Sequence, residues 1–522
     1  MFREESYYLD LFQVSREQLA LLAAEGIRGG GSYCDLFFEN TAYHELLLRD
    51  GIVSSGGFHI DFGVGIRVLK GDRTGYAYSE STDRKAMAEA VKAAAKIAHG
   101  AITQQPSIYP PAPPRGAEGR IPQTPCVASL RETMPPEPPL ALGRTQPQRS
   151  EDGLGRGQRA VRPQVDRYPF ENDWREAEAR MFVPFMEKLQ QKISAKDQRV
   201  VKVIVSLSDQ VSDILMFNSL GELTTDTRPM GTVAVSVIFT QDGKIENKTV
   251  SRSYRTGAEM LTEALSDEIA GEAVSGIDER FAAKRPKGGS MPVVMGAGAS
   301  GILLHEAMGH AFEADFNRKG QSIFSGRIGE KVCDEEISIV DDGTLVGNRG
   351  AVNYDDEGVP GQKTFMVRDG VLESYLHDRI SADHFGVSPT GNGRRETFRY
   401  APIPRMRSTY MLGGSSDKDS IIASVKKGIY VDQFSNGQVQ IGEGDFTFFV
   451  KSGFLIEDGR LTMPVKDINI IGNGPQALAD IIAVGNDLKV DEGAWTCGKG
   501  QSCPVSCGIP TVLVKNLTVG GE

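Results

Sequence analysis

Residues 292–316 read PVVMGAGASGILLHEAMGHAFEADF. A short apolar strand enters a glycine-rich turn and a helix leaves it, so His305, Glu306 and His310 ride on one helical segment. In the H-E-x-x-H arrangement two histidines at i and i+4 share a helix face and grip zinc, and the glutamate between them polarises a metal-bound water. Here the spacing is one residue longer. At about 100° per residue, positions i and i+5 stand roughly 140° apart, too far for one metal on a regular helix. The motif therefore predicts a local distortion, either a π-turn or a break at Gly309, the residue that makes one easy. The chain has seven histidines and two fall here. His44, His59, His99, His377 and His384 are single, show no ligand spacing, and read as ordinary surface or core histidines.

Catalytic zinc takes three protein ligands and leaves one position open. The third has several candidates: Glu313 and Asp315 downstream, and the late cysteines. Glu313, three residues past His310, reaches the same face. Cys497 lies in GAWTCGKGQ (493–501), a glycine-flanked loop free to approach a metal. Spacing leaves the choice open. GAGASG at 296–301 matches the dinucleotide fingerprint, but the next acidic residues lie on or just after the same helix, not at the end of a second strand about 20 residues on. Its glycines are read instead as allowing a tight turn and close backbone approach. Gly391-Asn392-Gly393 with Arg394, Arg395, Arg399, Arg405 and Arg407 forms a basic cluster. It is expected to be a solvated or interface face, with the holding of a peptide carboxylate as the functional alternative.

Outward from this motif, the 522 residues suggest two or three domains. Residues 60–79 read as two strands around a Gly-Asp turn, and Lys85–Ala98 as a helix stopped by Gly100. Between Ala101 and Phe170 lie 14 of the 26 prolines, nine arginines and no lysine. Residues 103–166 are expected to be a Pro/Arg-rich disordered insertion, since apolar periodicity is absent and too little surface can be buried to offset ordering entropy. The lysine-free composition equally fits a stretch translated out of frame. A helix is expected from Asp173 to about Ala195, strands at 199–206, 232–240 and 244–252, and a helix at 256–275. A Lys-Arg-Pro-Lys-Gly-Gly linker at 284–289 marks a boundary. Beyond it the chain is strand-rich, with a meander from Gly437 to Val465 and short helices near 416–427 and 474–484.

The formal charge of −11 and pI near 5.4 argue against nucleic-acid or anionic-membrane binding. The start, MFREESYYLDLF, lacks the pattern of a secretory signal, and no run approaches the roughly 18 apolar residues of a membrane span. A soluble, cytoplasmic protein is expected. Six scattered cysteines (34, 126, 333, 497, 503, 507) are not a disulfide framework.

HEAMGHAFEADFNRKGQSIFSGRIGE (305–330), DDEGVPGQ (355–362), SPTGNGRRE (388–396), YMLGG (410–414) and VGNDLKVDEGAWTCGKGQS (484–502) closely resemble the TldD/PmbA family, specifically its TldD branch. The resemblance covers most of residues 32–100 and 170–522. It implies a cytosolic zinc metallopeptidase with an α+β fold. The domain order would be an N-terminal α/β part (1–102), the insertion (103–166), a continuation of the N-terminal region (167–286) and a C-terminal catalytic domain (287–522). It implies zinc held by His305, His310 and a late cysteine that maps to Cys497, with Glu306 as the catalytic glutamate. It implies unstructured or small peptides as substrates and pairing with a PmbA/TldE-type partner, or else a homodimer, around a closed chamber. Cys503 and Cys507 have no counterpart in it. Two other functions are carried beside the peptidase: a non-peptidase zinc hydrolase, and a regulatory protein of the kind described as DNA gyrase modulators.

Overall fold

The structure, a computed structural model, describes residues 3–100, 165–298, 300–440 and 443–521. All but the last two residues of the expected insertion at 103–166 lie outside them. One six-stranded sheet is built from β1 (Tyr33–Arg49), β2 (Ile52–Lys70), β3 (Arg73–Ser79), β4 (Val200–Asn218), β5 (Leu223–Gln241) and β6 (Lys244–Tyr254). Its order is β3-β2-β1-β4-β5-β6, every pairing antiparallel, so strands from both sides of residues 101–164 share one sheet.

Helices cover one face of it. Leu36, Phe38, Val64, Ile66, Val68, Leu215 and Phe217 pack under α1 (Glu5–Phe12), α2 (Arg16–Ile27) and α3 (Arg84–Ala98). Farther along the same face, Leu46, Leu48, Val205, Leu207, Val233 and Val235 meet α4 (Val183–Lys196) and α5 (Glu263–Val274). Two expected helices start later than the sequence suggested. Asp173 caps a single 3₁₀ turn, Trp174–Glu176, and the long helix begins only at Val183, where Pro184 suits the first turn. Likewise 258–260 is a 3₁₀ turn, and Thr262 caps α5 by accepting from Leu265 N. The chain continues through α6 (Ile277–Ala282) to β7 (Gly289–Met295).

The opposite face of this sheet packs on the C-terminal part, where Phe37, Ile214 and Met216 meet Tyr354 and Phe398. Gly63 and Gly65 make this approach possible. A Cβ on Gly63 would stand 2.3 Å from the Phe398 ring, and one on Gly65 2.3 Å from the Phe398 carbonyl oxygen. Charges are buried along the same seam. Arg67 meets Asp35 at 2.8 Å and Glu357 at 2.6 Å, and Arg228 meets Asp226 at 2.9 Å and Asp356 at 2.6 Å.

The C-terminal part holds two larger sheets. In one, the strands 427–439, 289–295, 512–520, 468–473 and 445–457 pair in that order, and 427–439 pairs again with 445–457, closing the row on itself. Residues 460–465 extend it from 445–457. The other runs 371–372, 363–368, 339–342, 408–411, 506–509, 489–490. Between them sits α7 (Gly301–Ala307), in a core shared by Met295, Leu303, Leu304, Val431, Met411 and Ile509. The architecture is α+β. No helix among the described residues is long and apolar enough to cross a membrane.

Candidate metal centre

β7 delivers the chain to the glycine turn, where Gly298 has φ +92° and Gly301 is so close to the strand 506–509 that a Cβ would lie 2.6 Å from Gly508 N. These two glycines serve a turn and a close approach. The helix that follows is broken between the two histidines. It ends at Ala307, Met308 has φ −130° and ψ −43°, and a 3₁₀ turn continues over Gly309–Phe312. The distortion required by the i, i+5 spacing is therefore present, but the non-helical residue is Met308. Gly309 packs closely, since a Cβ there would stand 2.2 Å from Sδ of the flexible Met406 side chain.

The break turns both imidazoles to one side, with ring centroids 5.2 Å apart and planes at 78°. Opposite them lies a two-stranded ribbon, Thr496–Gly498 paired with Ser502–Pro504, that carries Cys497. Ligand atoms of His305, His310 and Cys497 all lie within 4.8 Å of one another, and all three residues are buried. His310 Nε2 is 3.2 Å from Cys497 Sγ, and Glu306 Oε2 is 3.7 Å from His310 Nε2.

These residues fit a zinc ion. Donors at zinc–nitrogen and zinc–sulfur bond lengths around a tetrahedral metal stand roughly 3.5 Å apart, close to the separations here. Both ring nitrogens of His305 are buried without a hydrogen-bond partner. An orphaned pair of this kind is costly unless something binds it. Two imidazoles with a thiolate also suit zinc better than calcium or magnesium, which prefer oxygen.

The electrostatics couple His310 and Cys497 as an imidazolium–thiolate pair, which favours the ligand form of the sulfur alone. Burial disfavours charge on both partners, yet Cys497 and Glu313 hold His310 well above the usual imidazole range, and His310, Arg405 and His305 hold Cys497 well below the usual thiol range. A deprotonated sulfur is the metal-ligating form.

Glu313 and Asp315 occupy other places than the metal group. Glu313 Oε2 accepts from His310 Nδ1 at 2.9 Å, with Lys499 Nζ at 3.0 Å and Arg405 Nε 3.8 Å from its other oxygen. Burial pushes the Glu313 carboxyl up, but Lys499, His310 and Arg405 hold it well below the ordinary range. It is a fixed anion orienting the imidazole, a relation common around metal-bound histidines. Asp315 Oδ1 lies 2.7 Å from Lys499 Nζ. None of the other five histidines joins the group; His44, for one, pairs with Asp209 at 2.7 Å.

The basic cluster, expected to be a solvated or interface face, is mostly not solvated. Arg394, Arg395, Arg405 and Arg407 are buried. Their acceptors are backbone carbonyls and carboxylates that the fold brings from elsewhere, which local sequence does not display. Arg405 donates to the carbonyls of Cys497 at 2.7 Å and Gln501 at 2.8 Å. Arg394 donates to Pro504 O at 2.7 Å, and Arg349 to Trp495 O at 2.9 Å. Three buried guanidiniums thus hold the ribbon that presents Cys497, a role for Arg349 and Arg405 that only tertiary structure exposes.

Comparison with known proteins agrees along the chain. Residues 34–98 match the PmbA/TldA metallopeptidase domain 1, 172–280 the central domain and 288–521 the C-terminal domain. The chain is 36% identical over 498 residues to a protein of Haemophilus influenzae named metalloprotease TldD homolog, covering 94% of this chain and 93% of that one. A Saccharolobus solfataricus relative named zinc metalloprotease TldD homolog is 34% identical over 238 residues, 45% of this chain and 53% of its own. Among solved structures, TldE of Thermococcus kodakarensis superposes with TM-score 0.67 at 18% identity, covering 97% of this chain and 100% of that one. A candidate DNA gyrase modulator of Thermotoga maritima superposes with TM-score 0.69 at 22% identity, over 97% and 99%. At these identities the two structures speak for the fold.

Proposed function

The chain belongs to the PmbA/TldD family of metallopeptidases, in its TldD branch, and on that premise we propose that it is a zinc-dependent peptidase acting on unfolded or small peptides. The observation that carries this reading is the convergence of His305, His310 and Cys497, drawn from a broken helix and a distant ribbon, with Glu306 beside them. When bound there, zinc supplies a Lewis acid that polarises a carbonyl and lowers the pKa of water toward 7. Glu306 follows His305 by one residue, about 100° around the helix axis, and faces the group without joining it. Its carboxylate takes a proton from the attacking water and hands it to the leaving amine. Glu313 holds His310 by Nδ1, leaving Nε2 for the metal. Arg405 and Arg394 keep Cys497 in place through the ribbon's carbonyls.

Cytoplasmic location and pairing with a PmbA/TldE-type chain, or a second copy, belong to the same reading. Family membership and the fold shared with a TldE support them. The test is cleavage of casein fragments and short peptides, against esters and simple amides, before and after chelation. Peptide cleavage that disappears with a chelator and returns with zinc is expected. Preference for esters would make the chain another zinc hydrolase, and full activity after verified metal removal would overturn the reading.

A further inference from the structure

Cys497 and Cys503 are directly opposed on the antiparallel ribbon, in register as a cross-strand pair. Opposed residues on such a ribbon point to the same side, with Cα atoms about 4.5–5.5 Å apart, inside the span a disulfide bridges. Both are buried, at 2% and 1% exposure. One guanidinium ties them together: Arg405 donates to the Cys497 carbonyl and lies 3.5 Å from Cys503 Sγ. Cys503 is nonetheless outside the group of ligand atoms around the metal position. The proposed peptidase function leaves it without a task.

We propose that Cys503 is the resolving partner of Cys497, so that a peroxide converts the pair to a disulfide and withdraws Cys497 from the metal centre. This rests on the reading of Cys497 as a zinc ligand. The oxidant is hydrogen peroxide, scarcely larger than the water that hydrolysis needs at the same place. The Cys497 thiolate attacks one peroxide oxygen; an S–O bond forms, the O–O bond breaks, and hydroxide leaves. Cys503 sulfur then attacks Cys497 sulfur. The S–S bond forms, the S–O bond breaks, and the departing hydroxide takes the Cys503 proton as water. One thiolate, one thiol and one peroxide give one disulfide, one water and one hydroxide, with two electrons passing from sulfur to oxygen. Zinc keeps its charge and loses one of three protein ligands. A nearby thiol also diverts the sulfenic acid from irreversible over-oxidation.

The experiment exposes zinc-loaded wild-type protein and Cys503→Ser to hydrogen peroxide. Released zinc is read with a chromogenic chelator, and digests are mapped under non-reducing conditions by fragmentation mass spectrometry. Before oxidation both proteins should hold one zinc, because Cys503 is not a ligand. After oxidation the wild type should release zinc in proportion to a Cys497–Cys503 linkage, and dithiothreitol with added zinc should restore binding. In Cys503→Ser, Cys497 should pass to sulfinic acid and dithiothreitol should restore less than about a tenth of the zinc. Equal recovery in the two proteins, absence of the linkage, or a Cys497–Cys507 linkage in its place would overturn the proposal. A wild type that never held zinc would instead count against the peptidase reading, while the same mapping on metal-free protein still tests the cysteine pair.

Discussion

At the seam between the N-terminal sheet and the C-terminal part, Arg67 is met by Asp35 and Glu357, and Arg228 by Asp226 and Asp356. At the candidate metal centre, a few elements away and equally buried, neither ring nitrogen of His305 makes a directed hydrogen bond, and the ring presents a ligand atom within 4.8 Å of those of His310 and Cys497. The two clusters spend burial differently. In the seam each cation faces carboxylates, so opposite charges pair and fasten two parts of the fold, although Arg67 Nη1 and Glu357 Oε1 stand 2.6 Å apart as an ion pair without a directed hydrogen bond. Around the histidines a surplus of ligand atoms converges on one point, and that surplus calls for an ion from outside. Burial of charge alone does not mark a candidate functional site; ligand atoms of three residues with a common focus do.

The comparison breaks first at Arg67, which has no exposure. Arg67→Ala strands two buried carboxylates and should lower unfolding stability by about 3–5 kcal/mol, read from the denaturant midpoint, with zinc content per folded chain unchanged. A loss below about 1 kcal/mol would mean the seam is not held by its ion pairs.

Legibility in the sequence follows the same division. The histidine–glutamate segment, the β2–β3 hairpin and α3 are local patterns, and each is found where its residues suggested, with α3 at Arg84–Ala98 and the histidines on a broken helix. The sequence also required the break itself, because i and i+5 diverge on a regular helix. β1 was not legible: it opens with seven consecutive buried residues, covered on both faces, so the alternation that announces a half-buried strand is missing. The arginines of 394–407 read as a solvated or interface face because the acceptors of their guanidiniums, such as the Asp356 carbonyl and the ribbon carbonyls, come from distant segments. Cys497 could be singled out only through family resemblance, since nothing in its own loop tells which helix it will face.

Glu313 sharpens the comparison, for it adjoins the candidate metal centre yet is paired through Oε2 with His310 and Lys499. Glu313→Gln removes the charge while leaving an acceptor for His310 Nδ1. Zinc affinity, measured by competition with a chelator of known strength, should weaken about 10–100-fold. Unchanged affinity would make Glu313 part of the packing and not of the site.

A smaller effect is expected at Glu39, which lies on the seam face and accepts from Phe398 N at 2.7 Å. Burial pushes its carboxyl up to about 7 from 4.5. A raised carboxyl pKa means the folded state holds the proton more tightly, so its stabilising contribution is complete below about pH 4.5 and is lost as pH rises through 7. Glu39→Gln should flatten that decline, gaining on the wild type by about 1–3 kcal/mol between acid and neutral pH. Parallel stability–pH curves for the two proteins would show that Glu39 does not titrate in this window.

The most direct measurement is made on Glu306, whose carboxylate lies 3.7 Å from His310 Nε2 without belonging to the ligand group. Glu306→Gln keeps shape and removes the proposed base. Zinc content and melting temperature should stay near those of the wild type while turnover of a peptide substrate falls at least about a hundred-fold, as loss of a general acid–base group requires. His305→Ala should differ by losing zinc as well as activity. Loss of zinc from Glu306→Gln would make the glutamate a ligand, and retention of more than about a tenth of wild-type turnover would mean that another base does the work.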